Sequence, residues 1–151
     1  MTASLDIPTG HPHPALTALR AYLADVTTAL GIGLESCTVD HDTPVSAYVA
    51  LDEHLPGYPG HDTALLWDEV RGWSAAIETH RSRELVVIRH LGGSVVPPPE
   101  QVARFVAALR ADDHRVGTIE PADLRPASGL DDLDTVLRDR HAGHVRAHER
   151  R

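Results

Sequence analysis

Carboxylates are the first residues in this chain whose types and spacing could do chemistry. Asp62, Asp68, Glu69 and Glu78 fall close together, and the stretch "DHD" at residues 40–42 adds two more acids. Two carboxyl groups can share acid and base work when burial drives their pKa values apart. No nucleophile and no known catalytic motif accompanies them, and acids at strand ends also serve solubility. No residue is therefore assigned a catalytic role. The four carboxylates are instead candidates to line a small-ligand pocket beside the loop "HLPGYPGHD".

Histidine is the second candidate, with 11 in 151 residues. His141, His144 and His148 share one face if the C-terminus is helical, and imidazoles on one face can hold zinc. With no cysteine nearby, such a site would be open and weak, so zinc is the one cofactor considered and none is expected to be firmly held. Protonation of these histidines near pH 6 would make the C-terminal segment more positive. The single cysteine, Cys37, has no histidine beside it in sequence and reads as small apolar packing.

The third candidate is aromatic. Trp67 and Trp73, the chain's only tryptophans, flank "DEVRG", while Tyr58 sits in the Pro-Gly loop. A hairpin turning at Val70-Arg71 would set the two indoles across from each other. Such a pair is worth about 0.5–1.5 kcal/mol beyond burial, which is reason enough for a place in the core. Alternatively Tyr58, Trp67, Trp73 and Arg71 form a partner-binding surface, because tryptophan, tyrosine and arginine are enriched where proteins meet.

Charge narrows the partners. The formal net charge is −8, and the chain has no lysine, so all 14 basic residues are arginine. A field of that sign repels a phosphate backbone, which argues against specific nucleic-acid binding. Residues 138–151 reverse the sign locally, with five arginines against two acids. No apolar run approaches the ~20 residues that span a bilayer. The N-terminus "MTASLDIPTGHPHP" lacks a basic start and an apolar core, so a reducing cytoplasm is the expected location.

The elements that must position these residues follow from periodicity. Leu16, Leu19, Tyr22, Leu23, Val26 and Leu30 recur at helical spacing between Pro14 and Gly31. Two short alternating runs follow, around Cys37–Val39 and Val45–Leu51, separated by Thr43-Pro44. "TALLWDE" and "WSAAIETH" read as a hairpin with Gly72 in its turn, and "LVVIRHL" as a further strand. "PEQVARFVAALRADD" reads as a second helix with Val102, Phe105, Val106 and Leu109 on one face. The order predicts an α+β fold: an antiparallel sheet of about five strands, with both helices on one face and the other face open. Residues 1–11 read as a flexible arm, 12–111 as the core domain, 112–128 as a linker and 129–151 as a His/Arg-rich C-terminal helix.

From Leu16 through Leu109 the chain resembles a family of small actinobacterial proteins grouped as a domain of unknown function. The resemblance rests on "AYLADVTTALG", "ESCTVDHDTPVSAYVALDEHLPGYP", "ALLWDEVRGWSAAIE" and "LVVIRHLGG" followed by "PPPEQVARFVAAL". It implies a small intracellular protein, often accessory, and brings no activity, cofactor or catalytic residue.

The expectation is an accessory or regulatory protein that binds another protein, or a second copy of itself, through the open sheet face. A carboxylate-lined ligand pocket or enzyme is the alternative.

Overall fold

The computed structural model describes residues 13–79, 84–130 and 132–139. Helix α1 (Pro14–Leu30) starts where Pro14 supplies a preset φ and the His13 ring Nδ1 accepts from Ala15 N at 3.0 Å. It ends at Gly31, whose φ of +78° is a left-handed conformation that glycine adopts without strain. Ala15, Leu19, Tyr22, Leu23 and Val26 form its buried stripe.

A short 3-10 turn (Leu34–Ser36) leads into a five-stranded antiparallel meander: β1 (Cys37–Asp40), β2 (Ser46–Leu51), β3 (Thr63–Asp68), β4 (Gly72–Glu78) and β5 (Leu85–His90). Each strand pairs with its sequence neighbour, so β1 and β5 are the edges. The Thr43-Pro44 peptide between β1 and β2 is cis. Helix α2 (Pro99–Arg110) follows, with Pro99 at its start and Val102, Phe105 and Val106 buried. Residues 132–139 form a last helical segment, α3. The fold is α+β.

Side-chain alternation splits the sheet into two faces. Val45, Ala47, Val49, Leu51, Leu65, Trp67, Trp73 and Ala75 share one core cluster with the buried stripes of α1 and α2. Leu133 and Leu137 of α3 join the same cluster. All three described helices therefore bury their apolar residues against one face.

The stretch 112–128 runs beside the sheet and is bonded to it. Thr118 exchanges two backbone hydrogen bonds with His90 (2.7 and 2.8 Å), and Leu124 N donates to Val70 O at 2.7 Å. Gly117 makes this approach close: a Cβ there would stand 2.4 Å from His90 O.

Candidate functional site

The face opposite the helices is built in rows across the strands. One row runs Thr38, Tyr48, Leu66, Ser74 and His90; the next runs Ala50, Ala64, Ala76 and Val87. The small residues Ala64 and Ala76 of the second row are buried, as is Ser74 of the first. A depression of about 350 Å³ is lined by Thr38, Asp40, Ser46, Tyr48, Leu66, Asp68 and Leu85 among others. Its floor is apolar and its rim acidic. Burial pushes the Tyr48 phenol above its ordinary pKa, and the nearby Glu78 and Asp62 carboxylates push it the same way. Tyr48 thus presents a neutral hydroxyl.

His90 ends the first row and is 9% exposed. Burial lowers its pKa first and the Arg71 charge lowers it further, while Asp68 opposes them. Its Nδ1 is buried with no hydrogen-bond partner. The ring is thereby kept neutral, since charging it would strand an unsolvated cation.

The four carboxylates are not brought together. Asp68 and Glu69 lie at one end of β3, and Asp62 precedes its other end. Asp68 accepts from Val70 N and Arg71 N (2.8 and 2.6 Å), which fixes the hairpin turn. Asp62 contacts the His54 ring at 3.3 Å in solvent. Glu78 ends β4, where its N–H donates to Asp62 O at 2.9 Å.

Glu69 is the exception in burial, with no exposed surface. Its carboxylate accepts from Val45 N at 2.8 Å, Ser128 N at 2.9 Å, Gly129 N at 2.9 Å and Arg125 Nη1 at 3.0 Å. Burial alone would raise its pKa, but the hydrogen bonds from Ser128, Val45, Arg125 and Gly129 outweigh it and hold the group below the ordinary value. Glu69 ties the β1–β2 connection, the β3–β4 turn and the segment leading to α3 into one joint. Nothing in the local sequence signals this, because three of its four partners are backbone amides.

The aromatic residues separate as well. Trp67 and Trp73 pair directly across β3 and β4, each 1% exposed, with their rings in the core. Trp67 Nε1 donates to Val95 O at 2.6 Å; Trp73 Nε1 donates to the Tyr22 hydroxyl at 3.0 Å, which donates to Pro97 O at 2.7 Å. The indoles therefore pack α1 and the segment 95–97 against the sheet, and the surface reading of this pair gives way to the packing one. Odd-numbered positions of β3 and β4 point to the helices, which places Trp67 and Trp73 inside and Leu66 and Ser74 outside.

Arg71 is exposed and pairs with Asp123 at 3.1 Å. Tyr58 lines a separate depression of about 60 Å³ with Leu55, Arg89, Leu109 and His114. Ligand sites usually occupy ~300–1,000 Å³, so this one has room for little more than water.

A family model described as a family of unknown function, DUF6292, matches residues 22–108, more than half of the chain. The chain belongs to this family. The match covers the C-terminal half of α1, the whole sheet and most of α2, and stops short of the segment that Glu69 holds. No curated protein and no solved structure matches the chain.

Among the described residues, no group of three or more His, Cys, Asp or Glu side chains is placed to hold a metal. His141, His144 and His148 lie outside the described residues. No described helix is long and apolar enough to cross a membrane.

Proposed function

We propose that this is a cytoplasmic accessory protein that binds another protein through the open face of its sheet. The observation that carries the reading is the concave apolar surface of Tyr48, Leu66 and Leu85, on the face opposite all three described helices. Asp40 and Asp68 at its margin, on a chain of net charge −8, favour a partner whose apolar side chains are flanked by basic ones. The separation of Asp62 and Glu78 from Asp68, and the use of Glu69 as a structural joint, favour this reading over the alternative of a carboxylate-lined ligand pocket or enzyme.

The experiment is cross-linking and affinity capture from source cells with the wild type, Leu66→Arg and Arg104→Glu. Leu66→Arg puts a charge in the middle of the concavity, whereas Arg104 lies on α2. A partner captured by the wild type and by Arg104→Glu, but lost with a folded Leu66→Arg, supports the reading. Capture unaffected by Leu66→Arg overturns it.

A further inference from the structure

The geometry points to a second interface: the outer edge of β5 pairs antiparallel with β5 of a second copy of this chain, about a twofold axis at Val86. This goes beyond the reading of the open face, because it uses the strand's edge and holds whatever partner that face takes.

Strand β5 is the last of the five, so one side of its backbone faces away from the sheet. Thr79 N donates to Glu84 O, and Val86 pairs with Ile77, so residues 84 and 86 turn their backbone groups toward β4. By the alternation of an antiparallel ladder, Leu85 and Val87 then turn theirs to the free edge. Five residues beyond the start of the strand the edge is occupied: a register shift opposite Ala75/Ala76 precedes His90, whose backbone already pairs with Thr118. Among the described residues the open stretch is therefore 84–88, and Val86 is its centre.

That stretch lacks what normally protects an edge. Leu85, Val86 and Val87 are 38%, 43% and 40% exposed and apolar on both sides of the sheet. No proline or charge interrupts them, although natural edge strands usually carry one or the other. A twofold axis at Val86 sets Leu85 of each copy opposite Val87 of the other. The free N–H and C=O groups of these residues then satisfy one another in four ladder hydrogen bonds. Val86 meets its own copy on the helix-covered face.

Charge selects a second copy over an arbitrary strand. Glu84 and Arg89 bracket the stretch with opposite signs, and their ladder neighbours Thr79 and Ala75 belong to the same face of β4; the Arg89 guanidinium also donates to His114 O and Val116 O within its own chain, at 3.3 and 3.4 Å. Antiparallel pairing brings Glu84 of one copy to the Arg89 end of the other, and the symmetry makes two such contacts. The product is one ten-stranded sheet, with the concave faces of both copies on the same side.

Sedimentation equilibrium of the full chain tests this, at concentrations on the order of 100 µM, where a small interface is populated. The wild type is expected to show reversible dimerisation. Val86→Arg opposes two like charges at the axis and is expected to leave only monomer, with an unchanged far-UV circular dichroism spectrum. Glu84→Arg should weaken the dimer roughly three- to tenfold by setting arginine against arginine. Leu66→Arg should leave the dimer intact, which separates failure here from failure of the open-face reading. A wild type that stays monomeric overturns the inference. So does a dimer that neither Val86→Arg nor Glu84→Arg weakens.

Discussion

The two faces of this sheet are made by the same strands yet differ in almost every physical respect. On one, Trp67, Trp73, Leu65 and Val49 are closed over by three helical segments, and each indole N–H has a partner. On the other, which no described helix covers, Tyr48 and Leu66 are half-buried and Val87 is exposed, while Ala64, Ser74 and Ala76 are buried. The covered face holds the molecule together. None of Tyr48, Ala64, Leu66 and Ala76 on the open face belongs to the core cluster.

That contrast can be broken first at its hinge. Glu69→Ala leaves Arg125, whose side chain is mostly buried, without its carboxylate and three amides without their acceptor. Loss of one partner of a buried pair costs about 3–5 kcal/mol, which urea unfolding should read directly. Tyr22→Phe comes next. It removes the hydroxyl that joins Trp73 to Pro97, leaving a buried donor and a buried acceptor, at about 1–3 kcal/mol in the same assay. Leu66→Ser, on the open face, should cost under about 1 kcal/mol and change partner capture instead. A loss as large as that of Tyr22→Phe would mean that the open face also holds the fold.

Acid sharpens the comparison further. The folded pKa of Glu69 is depressed, so its contribution is complete above the ordinary carboxyl value and is lost as pH falls through the folded value. Stability of the wild type should therefore drop below about pH 4.5, and the slope should flatten in Glu69→Gln. The folded pKa of His90 is depressed too, but for a base this means that the unfolded chain takes up the proton first. Stability should already decline modestly as pH falls below about 6.5, and His90→Phe should remove that early decline in a denaturation series.

Much of the covered face was legible in the sequence. The spacing of Leu19, Tyr22, Leu23 and Val26 marks a helix, Pro14 and Gly31 bound it, and the alternation at Val45–Leu51 marks a strand. The hairpin around "VRG" follows from Gly72, whose φ of +72° completes the turn. What alternation alone leaves open is which side of the sheet the helices cover, so the tryptophans fit either reading until α1 is placed. The attachment of residues 112–130 is invisible for a different reason. It depends on backbone bonds to His90 and Val70 and on the Ser128 and Gly129 amides reaching Glu69, and a sequence pattern records side chains. The dispersal of Asp62, Asp68, Glu69 and Glu78 is similar: near in sequence, they are separated by the length of β3.

Because both tryptophans of the chain sit at the seam between α1 and the sheet, the protein carries its own optical gauge. An indole whose N–H is bonded inside an apolar seam emits at short wavelength and resists collisional quenchers. Any event that loosens α1 from β3 and β4 shifts that emission, while binding at the outer surface leaves it nearly still. Light from two residues thus distinguishes a change in packing from the arrival of a partner, without a label.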